Sequence, residues 1–68
     1  MKYYWRVYWR GEAMQIAEGY ADTLEMAQQR AALIADTSEY YGADVEEKGA
    51  DRLWDYWPDE TQKWREIA

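Results

Sequence analysis

The sequence predicts an α+β protein in which one helix packs on one face of a small antiparallel sheet, in the order β-β-α-β-β-β. Three observations predict this class: a strictly alternating run near the N-terminus, a capped helical segment in the middle, and short strand-like runs between turn residues in the second half. Because 68 residues leave room for only one hydrophobic core, residues 1-68 are expected to form a single domain.

The first two strands are predicted from alternation and from the turn between them. In KYYWRVYWR, residues 2–10, successive side chains point to opposite sides of a strand. One side carries Tyr3, Trp5, Val7 and Trp9, and the other carries Lys2, Tyr4, Arg6, Tyr8 and Arg10. After a turn at residues 10–12, MQIAEGYA places Met14 and Ile16 on one face. The two runs therefore predict a hairpin, with a bulge at Gly19.

A helix of about 18 residues is predicted from Leu24 to Tyr41. Asp22 and Thr23 are residues that cap helix N-termini, and Gly42 is expected to end the helix. Its inner stripe is rich in alanine, which allows a close approach to the sheet. Val, Ile and Leu number only 8, whereas Trp and Tyr number 12, so aromatic rings are expected to dominate the core.

Three further strands are predicted in the second half of the chain. ADVEEK is a short acidic strand around Val45, GAD is a turn, and RLWDYW is a strand. The PDET segment fits a type I turn, after which QKWREIA returns as the last strand. That hairpin would pair Trp54 with Arg65 and Tyr56 with Lys63 on one face. In the alternative, residues 58-67 form a terminal helix; the hairpin is preferred.

The composition excludes most catalytic chemistry. With no Cys and no His, the chain has no disulfide, no ordinary zinc site, no thiolate nucleophile and no imidazole base. The four glycines are too dispersed for a phosphate-binding loop, and no run of carboxylates has calcium-ligand spacing. We therefore expect no enzyme activity, no metal and no cofactor. The N-terminus does not resemble a signal peptide, and the apolar runs are too short to span a membrane. A soluble, cytoplasmic protein is expected.

The charge is distributed unequally along the chain. Residues 1–34 hold four acidic and four basic residues, whereas residues 35–68 hold ten acidic and four basic ones. The net charge of -6 therefore lies entirely in the second half. A negative field repels phosphate backbones and anionic lipid, so the expected partner is a basic protein rather than nucleic acid or a membrane.

The carboxylates of the second half are the candidate binding residues. Same-face neighbours on a strand lie about 6.6 Å apart, so a stripe of carboxylates could imitate the charge density of a phosphate backbone. Solubility alone would also explain an acidic surface. The candidates are Asp36, Glu39, Asp44, Glu46, Glu47, Asp51, Asp55, Asp59 and Glu60, with Trp54 and Tyr56 as aromatic anchors.

The segment MQIAE before a capped helix, followed by LWDYW, a turn at Asp59 and then Trp64, resembles the small acidic phage-encoded anti-CRISPR proteins. The similarity covers about residues 14–67 and is one of type, since those proteins share no signature motif. It implies a non-enzymatic inhibitor that occupies a basic nucleic-acid-binding groove of a CRISPR effector subunit and blocks target DNA by DNA mimicry.

Two other functions remain open. The face of the first strand that carries Lys2, Tyr4, Arg6, Tyr8 and Arg10 could bind single-stranded nucleic acid. A phage assembly protein could instead add an edge strand to itself or to a partner. For the inhibitor, a monomer is expected.

Overall fold

The computed structural model describes residues 2–11, 14–59 and 63–68 of the chain. The chain order is β-β-α-β-β-β, as predicted. The elements are β1 (Tyr3–Trp9), β2 (Met14–Ala21), α1 (Leu24–Ala35), β3 (Tyr41–Glu47), β4 (Arg52–Tyr56) and β5 (Arg65–Glu66).

The five strands form one antiparallel sheet in the order β2-β1-β3-β4-β5, with β2 and β5 at its edges. The helix α1 packs on one face of this sheet, against β1, β3 and β2. We call that side the helix face and the opposite side the open face. The fold is therefore α+β, with a single layer of helix on the sheet, which confirms the predicted class.

The β1–β2 hairpin contains a bulge, although not where it was predicted. The register between the strands shifts between Val7 and Tyr8, which pair with Ala17 and Gln15, so Ile16 is the additional residue. Gly19 instead lies directly beneath the Trp5 indole, where a Cβ atom would come within 2.6 Å of ring atom Cζ2. The glycine marks a close approach of a ring to the backbone.

The helix is shorter than predicted, since it ends at Ala35 rather than at Tyr41. At its start, the Thr23 hydroxyl accepts a hydrogen bond from the Met26 amide, as an N-cap does. At its end, the Thr37 hydroxyl donates to the Ile34 carbonyl at 2.7 Å. Such bonds let the backbone leave the helix, so the predicted stop at Gly42 is wrong and Gly42 belongs to β3.

The core combines alanine, valine and aromatic residues, and of the rings expected to dominate it, Trp5, Trp54 and Tyr56 are buried there. Ala27, Ala31 and Ala35 form the buried stripe of α1, and each is fully buried. Trp5 and Trp54 fill the space below them, at 9% and 6% exposed. The small side chains allow the helix to lie close to the sheet, and the two indoles add large apolar side chains to the same core.

The last hairpin is a strand pair, but its register differs from the predicted one. Asp55 pairs with Arg65, and Trp54 with Glu66, one residue further along than expected. A shift of one residue moves each side chain to the other face, so the predicted Trp54–Arg65 pair does not form. The ring of Tyr56 instead stacks on Trp64. The alternative of a terminal helix is wrong for Arg65–Glu66; residues 60–62 lie outside the described part of the chain.

Candidate functional site

A row of charged side chains crosses the open face, with one residue from each of the five strands. In the antiparallel register Arg6 lies opposite Glu18 on β2 and Asp44 on β3, and Asp44 lies opposite Asp55 on β4. Arg65 on β5 completes the row opposite Asp55. The row therefore runs acid, base, acid, acid, base across the whole width of the sheet.

Each central carboxylate of this row has its own guanidinium partner. Arg6 Nε donates to Asp44 Oδ1 at 2.7 Å, and Arg65 donates to both Asp55 oxygens at 3.2 Å. The Trp57 indole donates to Asp55 Oδ2 at 2.9 Å. These charge-assisted bonds fix the orientation of both carboxylates.

The two central carboxylates also interact with each other. Burial raises the pKa of Asp44 above its ordinary value, and the negative charges of Glu46 and Asp55 raise it further, while Arg6 opposes the shift. The Asp44 and Asp55 side chains are 17% and 10% exposed, so water screens this repulsion only in part. At the centre of the open face, two carboxylates therefore repel each other, and each is held in place by its guanidinium partner.

Aromatic rings flank the charged row on both sides. On one side the rings of Tyr4 and Tyr20 lie 4.9 Å apart. On the other, Tyr8 meets Trp57 edge-on at 5.9 Å, and the Arg10 guanidinium lies 4.9 Å above the Trp57 ring. These aromatic residues are partly exposed, so they offer flat apolar area on the open face.

Gly42 provides the space for one of these rings. It lies on β3 between β1 and β4, and a Cβ atom there would come within 2.4 Å of Trp57 Cζ3. Trp57 can therefore lie flat on the sheet beside Tyr8 only because the strand has no side chain at this position.

Arg6 of β1 and the two cations that flank this strand each contact a carboxylate from the second half of the chain. Lys2 forms an ion pair with Glu47 at 3.6 Å, Arg6 with Asp44, and Arg10 with Asp59. The negative charge of those acids is thereby partly neutralised, and so is the positive charge of the basic strand. This pairing weakens any attraction between the face of β1 and a phosphate backbone.

The structure brings only some of the predicted acidic residues together. Asp44, Glu46 and Asp55 share the open face. Glu47 points to the helix face, is 8% exposed, and lies 3.6 Å from both Lys2 and Arg52.

The remaining candidates are dispersed. Asp36 accepts a hydrogen bond from the Tyr56 hydroxyl at 2.7 Å beside the end of α1. Glu39 lies between α1 and β3, whereas Asp51 lies at the opposite end of β3, in the turn before β4. Glu60 lies outside the described residues. The expected continuous anionic stripe is therefore wrong, because strand alternation and ion pairs divide these acids among several surfaces.

The predicted aromatic anchors are also misplaced. Trp54 and Tyr56 are each 6% exposed and belong to the core beneath α1. Alternation along β4 instead places Asp55 on the open face, and Trp57, directly after the strand, lies there as well. The sequence analysis missed Glu18, Trp57 and Arg65 as members of this surface, and the correct register of the last hairpin would have identified Arg65.

The open face is shallow. A depression of about 310 Å³ lies between Arg6, Tyr8, Gln15 and Asp44. Within residues 2–11, 14–59 and 63–68, no three acidic side chains are grouped so as to hold a metal ion. No helix formed by those residues is long and apolar enough to cross a membrane. No family model, curated protein or solved structure shows significant similarity to this chain.

Proposed function

We propose that the protein is a non-enzymatic binding module whose open face docks on a basic partner protein. In accordance with the resemblance of its sequence to anti-CRISPR proteins, the proposed partner is a CRISPR effector subunit, and the module excludes target DNA from its nucleic-acid-binding groove.

The observation that carries this proposal is the composition of the open face. Its carboxylates are Glu18, Asp44, Glu46 and Asp55, and the strands place two guanidinium groups there, those of Arg6 and Arg65. Two further cations lie over rings of this face, Arg10 over Trp57 and Lys48 over Tyr4. Partly exposed Tyr and Trp rings lie on either side of these charges, and such rings are typical anchors at protein interfaces. A flat aromatic surface that carries a carboxylate with no ion pair within the described residues, that of Glu46, can complement a basic protein surface.

This arrangement changes the proposed mechanism of DNA exclusion. A continuous stripe of phosphate-like charges is absent from the described residues, so occlusion rests on a docked sheet face rather than on imitation of a DNA strand. Long-range attraction would come from acids that form no ion pair within the described part of the chain, such as Glu46, and short-range affinity from Tyr8 and Trp57.

Binding of single-stranded nucleic acid by β1 is less favoured by the structure. Such modules stack bases on aromatic rings and neutralise phosphates with free Lys and Arg side chains. On β1 the rings are present, but Lys2, Arg6 and Arg10 each contact a carboxylate. A mobility-shift assay with labelled oligonucleotides tests this alternative, and Trp fluorescence quenching would support it.

The test of the proposal is a binding measurement with purified type I CRISPR effector complexes and their isolated subunits. Glu46→Gln removes a charge from the open face that has no ion pair among the described residues, and Glu39→Gln is the matched control away from it. We expect Glu46→Gln to slow association several-fold, with little change in dissociation, and added salt to diminish the difference. Glu39→Gln should associate like the unmodified protein.

Two outcomes would reject the proposal. One is the absence of binding to any effector subunit at low salt, and the other is an equal effect of the two variants. Competition with target DNA then distinguishes occlusion of the groove from binding elsewhere on the complex, since only occlusion makes the two ligands mutually exclusive.

A further inference from the structure

A small depression between aromatic side chains lies where the end of α1 meets the sheet. Its volume is about 210 Å³, and the described residues that line it are Trp9, Ile16, Ser38, Tyr40 and Tyr41. Trp9 on β1 lies opposite Tyr41 on β3, so both rings belong to the helix face. We call this depression the aromatic pocket. It lies away from the charged row of the open face and is independent of the function proposed above.

Hydrogen bonds of the segment after the helix hold the backbone of this pocket in place. The Ser38 hydroxyl accepts from the Tyr40 amide at 3.1 Å, and the Ser38 carbonyl accepts from the Tyr41 amide at 3.1 Å. The Tyr40 carbonyl accepts from the Arg10 amide at 2.9 Å, which ties the segment to the end of β1. The pocket is therefore formed before a ligand binds, and this reduces the entropy cost of binding.

The surroundings of the aromatic pocket are negative. The helix α1 ends at Ala35, whose carbonyl accepts from the Ser38 amide, and the C-terminal end of a helix carries a partial negative charge. Its last turn has no basic side chain that would offset this charge. Asp36 and Glu39 add two carboxylates on either side of Ser38 in the chain, and the described lining residues are uncharged. The pocket therefore attracts a cation and repels a carboxylate or a phosphate.

The rings make this attraction stronger for a cation that enters the pocket. The face of a Trp or Tyr ring is electron-rich, and pockets walled by several such rings recognise quaternary ammonium groups. Trp9 and Tyr40 are 40% and 62% exposed, so a ligand can reach both rings. Tyr41 is half-buried and packs against the core, which anchors the pocket to the rest of the fold.

The lining also favours one kind of cation. An ammonium or guanidinium group with N–H donors needs oxygen acceptors when it leaves water, because unpaired donors are costly. The Ser38 hydroxyl oxygen already accepts from the Tyr40 amide, and the walls are mainly ring and alkyl surface. A quaternary ammonium group has no N–H donor, so it enters such a pocket without leaving one unpaired.

The size of the pocket and its charge indicate a small ligand that is free in solution. A volume of about 210 Å³ is less than the roughly 300 Å³ at which pockets begin to enclose drug-sized ligands. It suits a head group of a few heavy atoms. In a choline lipid a phosphate follows the trimethylammonium group, and this phosphate would lie near Glu39 and the end of α1. A free compound avoids that repulsion.

We propose that the aromatic pocket binds a small free quaternary ammonium compound of the choline type. Its trimethylammonium group lies between the rings of Trp9, Tyr40 and Tyr41, and the Ile16 side chain contacts its methyl groups. The end of α1 and the Glu39 carboxylate supply the longer-range attraction.

The test is an NMR titration of the isotope-labelled full chain with choline chloride at constant ionic strength. The matched control ligand is neohexyl alcohol, in which a neutral tert-butyl group replaces the trimethylammonium group. The two ligands have nearly the same shape and differ in charge. The indole N–H of Trp9 and the amides of Ser38 and Tyr41 report on the pocket. We expect saturable shifts with choline and an affinity about fivefold or more weaker for the neutral ligand.

The chain offers matched variants for the role of the rings. Tyr40→Leu removes a ring and keeps an apolar side chain, whereas Tyr40→Phe keeps the ring. Tyr20→Leu removes a ring that is 45% exposed on the open face, away from the pocket. We expect Tyr40→Leu, and Trp9→Leu as a second variant, to weaken choline binding about threefold or more. Tyr40→Phe and Tyr20→Leu should bind choline like the unmodified protein, and the NMR spectra confirm that each variant is folded.

Four results would overturn the proposal. The first is the absence of saturable shifts up to about 100 mM choline. The second is equal affinity for the neutral ligand, which would show a purely apolar pocket. The third is an equal loss of affinity in Tyr40→Leu and Tyr20→Leu. The fourth is sedimentation of the protein with phosphatidylcholine vesicles, which would identify a lipid head group rather than a free compound as the ligand.

Discussion

The replacement of Gly19 by alanine tests the close approach of Trp5 to β2. An ideal Cβ atom on Gly19 would lie 2.6, 2.8 and 2.9 Å from three atoms of the indole. The indole or the backbone would have to move by about 0.8 Å to restore the lower limit of ordinary contact, 3.4 Å. Trp5 is 9% exposed on the helix face, so close packing leaves it little room to move. Overpacking of this kind costs about 1 to 3 kcal/mol, a large share of the stability of a small domain.

The assay is thermal unfolding followed by circular dichroism. A loss of about 2 kcal/mol corresponds to a decrease in Tm of roughly 8 to 16 °C for a chain of this size. Gly11→Ala is the control, because a Cβ atom there would meet only Trp9 Nε1 at 3.9 Å. The control should have little effect or raise the Tm slightly, since alanine restricts the unfolded chain.

A double-mutant cycle with Trp5→Phe locates the cause of the destabilisation. Phenylalanine lacks the indole atoms that the new methyl group would contact, so Gly19→Ala should cost much less in the Trp5→Phe background. Strictly additive effects of the two substitutions, or a Gly19→Ala protein as stable as Gly11→Ala, would refute the steric explanation.

Three more predictions concern the described contacts. Burial and the hydrogen bond to Asp36 raise the pKa of Tyr56 to about 12, so this interaction should stabilise the fold fully below pH 10 and be lost between pH 10 and about 12. Tyr56→Phe should cost about 1 kcal/mol at neutral pH and flatten that alkaline transition in a pH series of urea melts. Asp51 has a positive φ of 54°, and Asp51→Gly should relieve strain and raise the Tm by a few degrees. Asp55→Asn removes a neighbouring negative charge and should lower the pKa of Asp44 in an NMR titration of its carboxyl carbon; an unchanged pKa would show that the charge of Asp55 does not act on Asp44.

The fold class and the faces of β1 could be predicted from sequence because both follow from periodicity. Alternation along β1 places Trp5 and Val7 on the same face of the strand, and both are buried on the helix face. The alanine stripe of the helix was predictable for the same reason, since Ala27, Ala31 and Ala35 recur at helical spacing.

The glycines were misinterpreted because their neighbours in space are distant in sequence. Gly42 follows a segment with helical character, and the space it provides for Trp57 becomes visible only when β3 and β4 are paired. The early end of the helix depends on a hydroxyl-to-carbonyl bond at Thr37, which competes locally with helical geometry.

The candidate site was predicted less well because it depends on register. The sequence pointed to these carboxylates as a group, but their distribution over several surfaces depends on pairings between distant parts of the chain, such as Arg6 with Asp44, 38 residues apart. Composition gives the net charge of a segment, whereas the pairing of strands decides which charged side chains lie on the same face.

The charged row across the open face also protects the fold against misaligned strands during folding. If β3 slipped by one position along β1, Asp44 would turn inward beneath the alanines of α1, and Val45 would turn outward to water. An unpaired carboxylate enclosed in that layer is strongly unfavourable, so slipped arrangements are eliminated even where hydrogen bonding between backbones would be equally good. The sheet has five strands, and its edge strand β5 has two residues, so few contacts distinguish the correct alignment from an incorrect one. The cost of burying an unpaired carboxylate adds to that distinction.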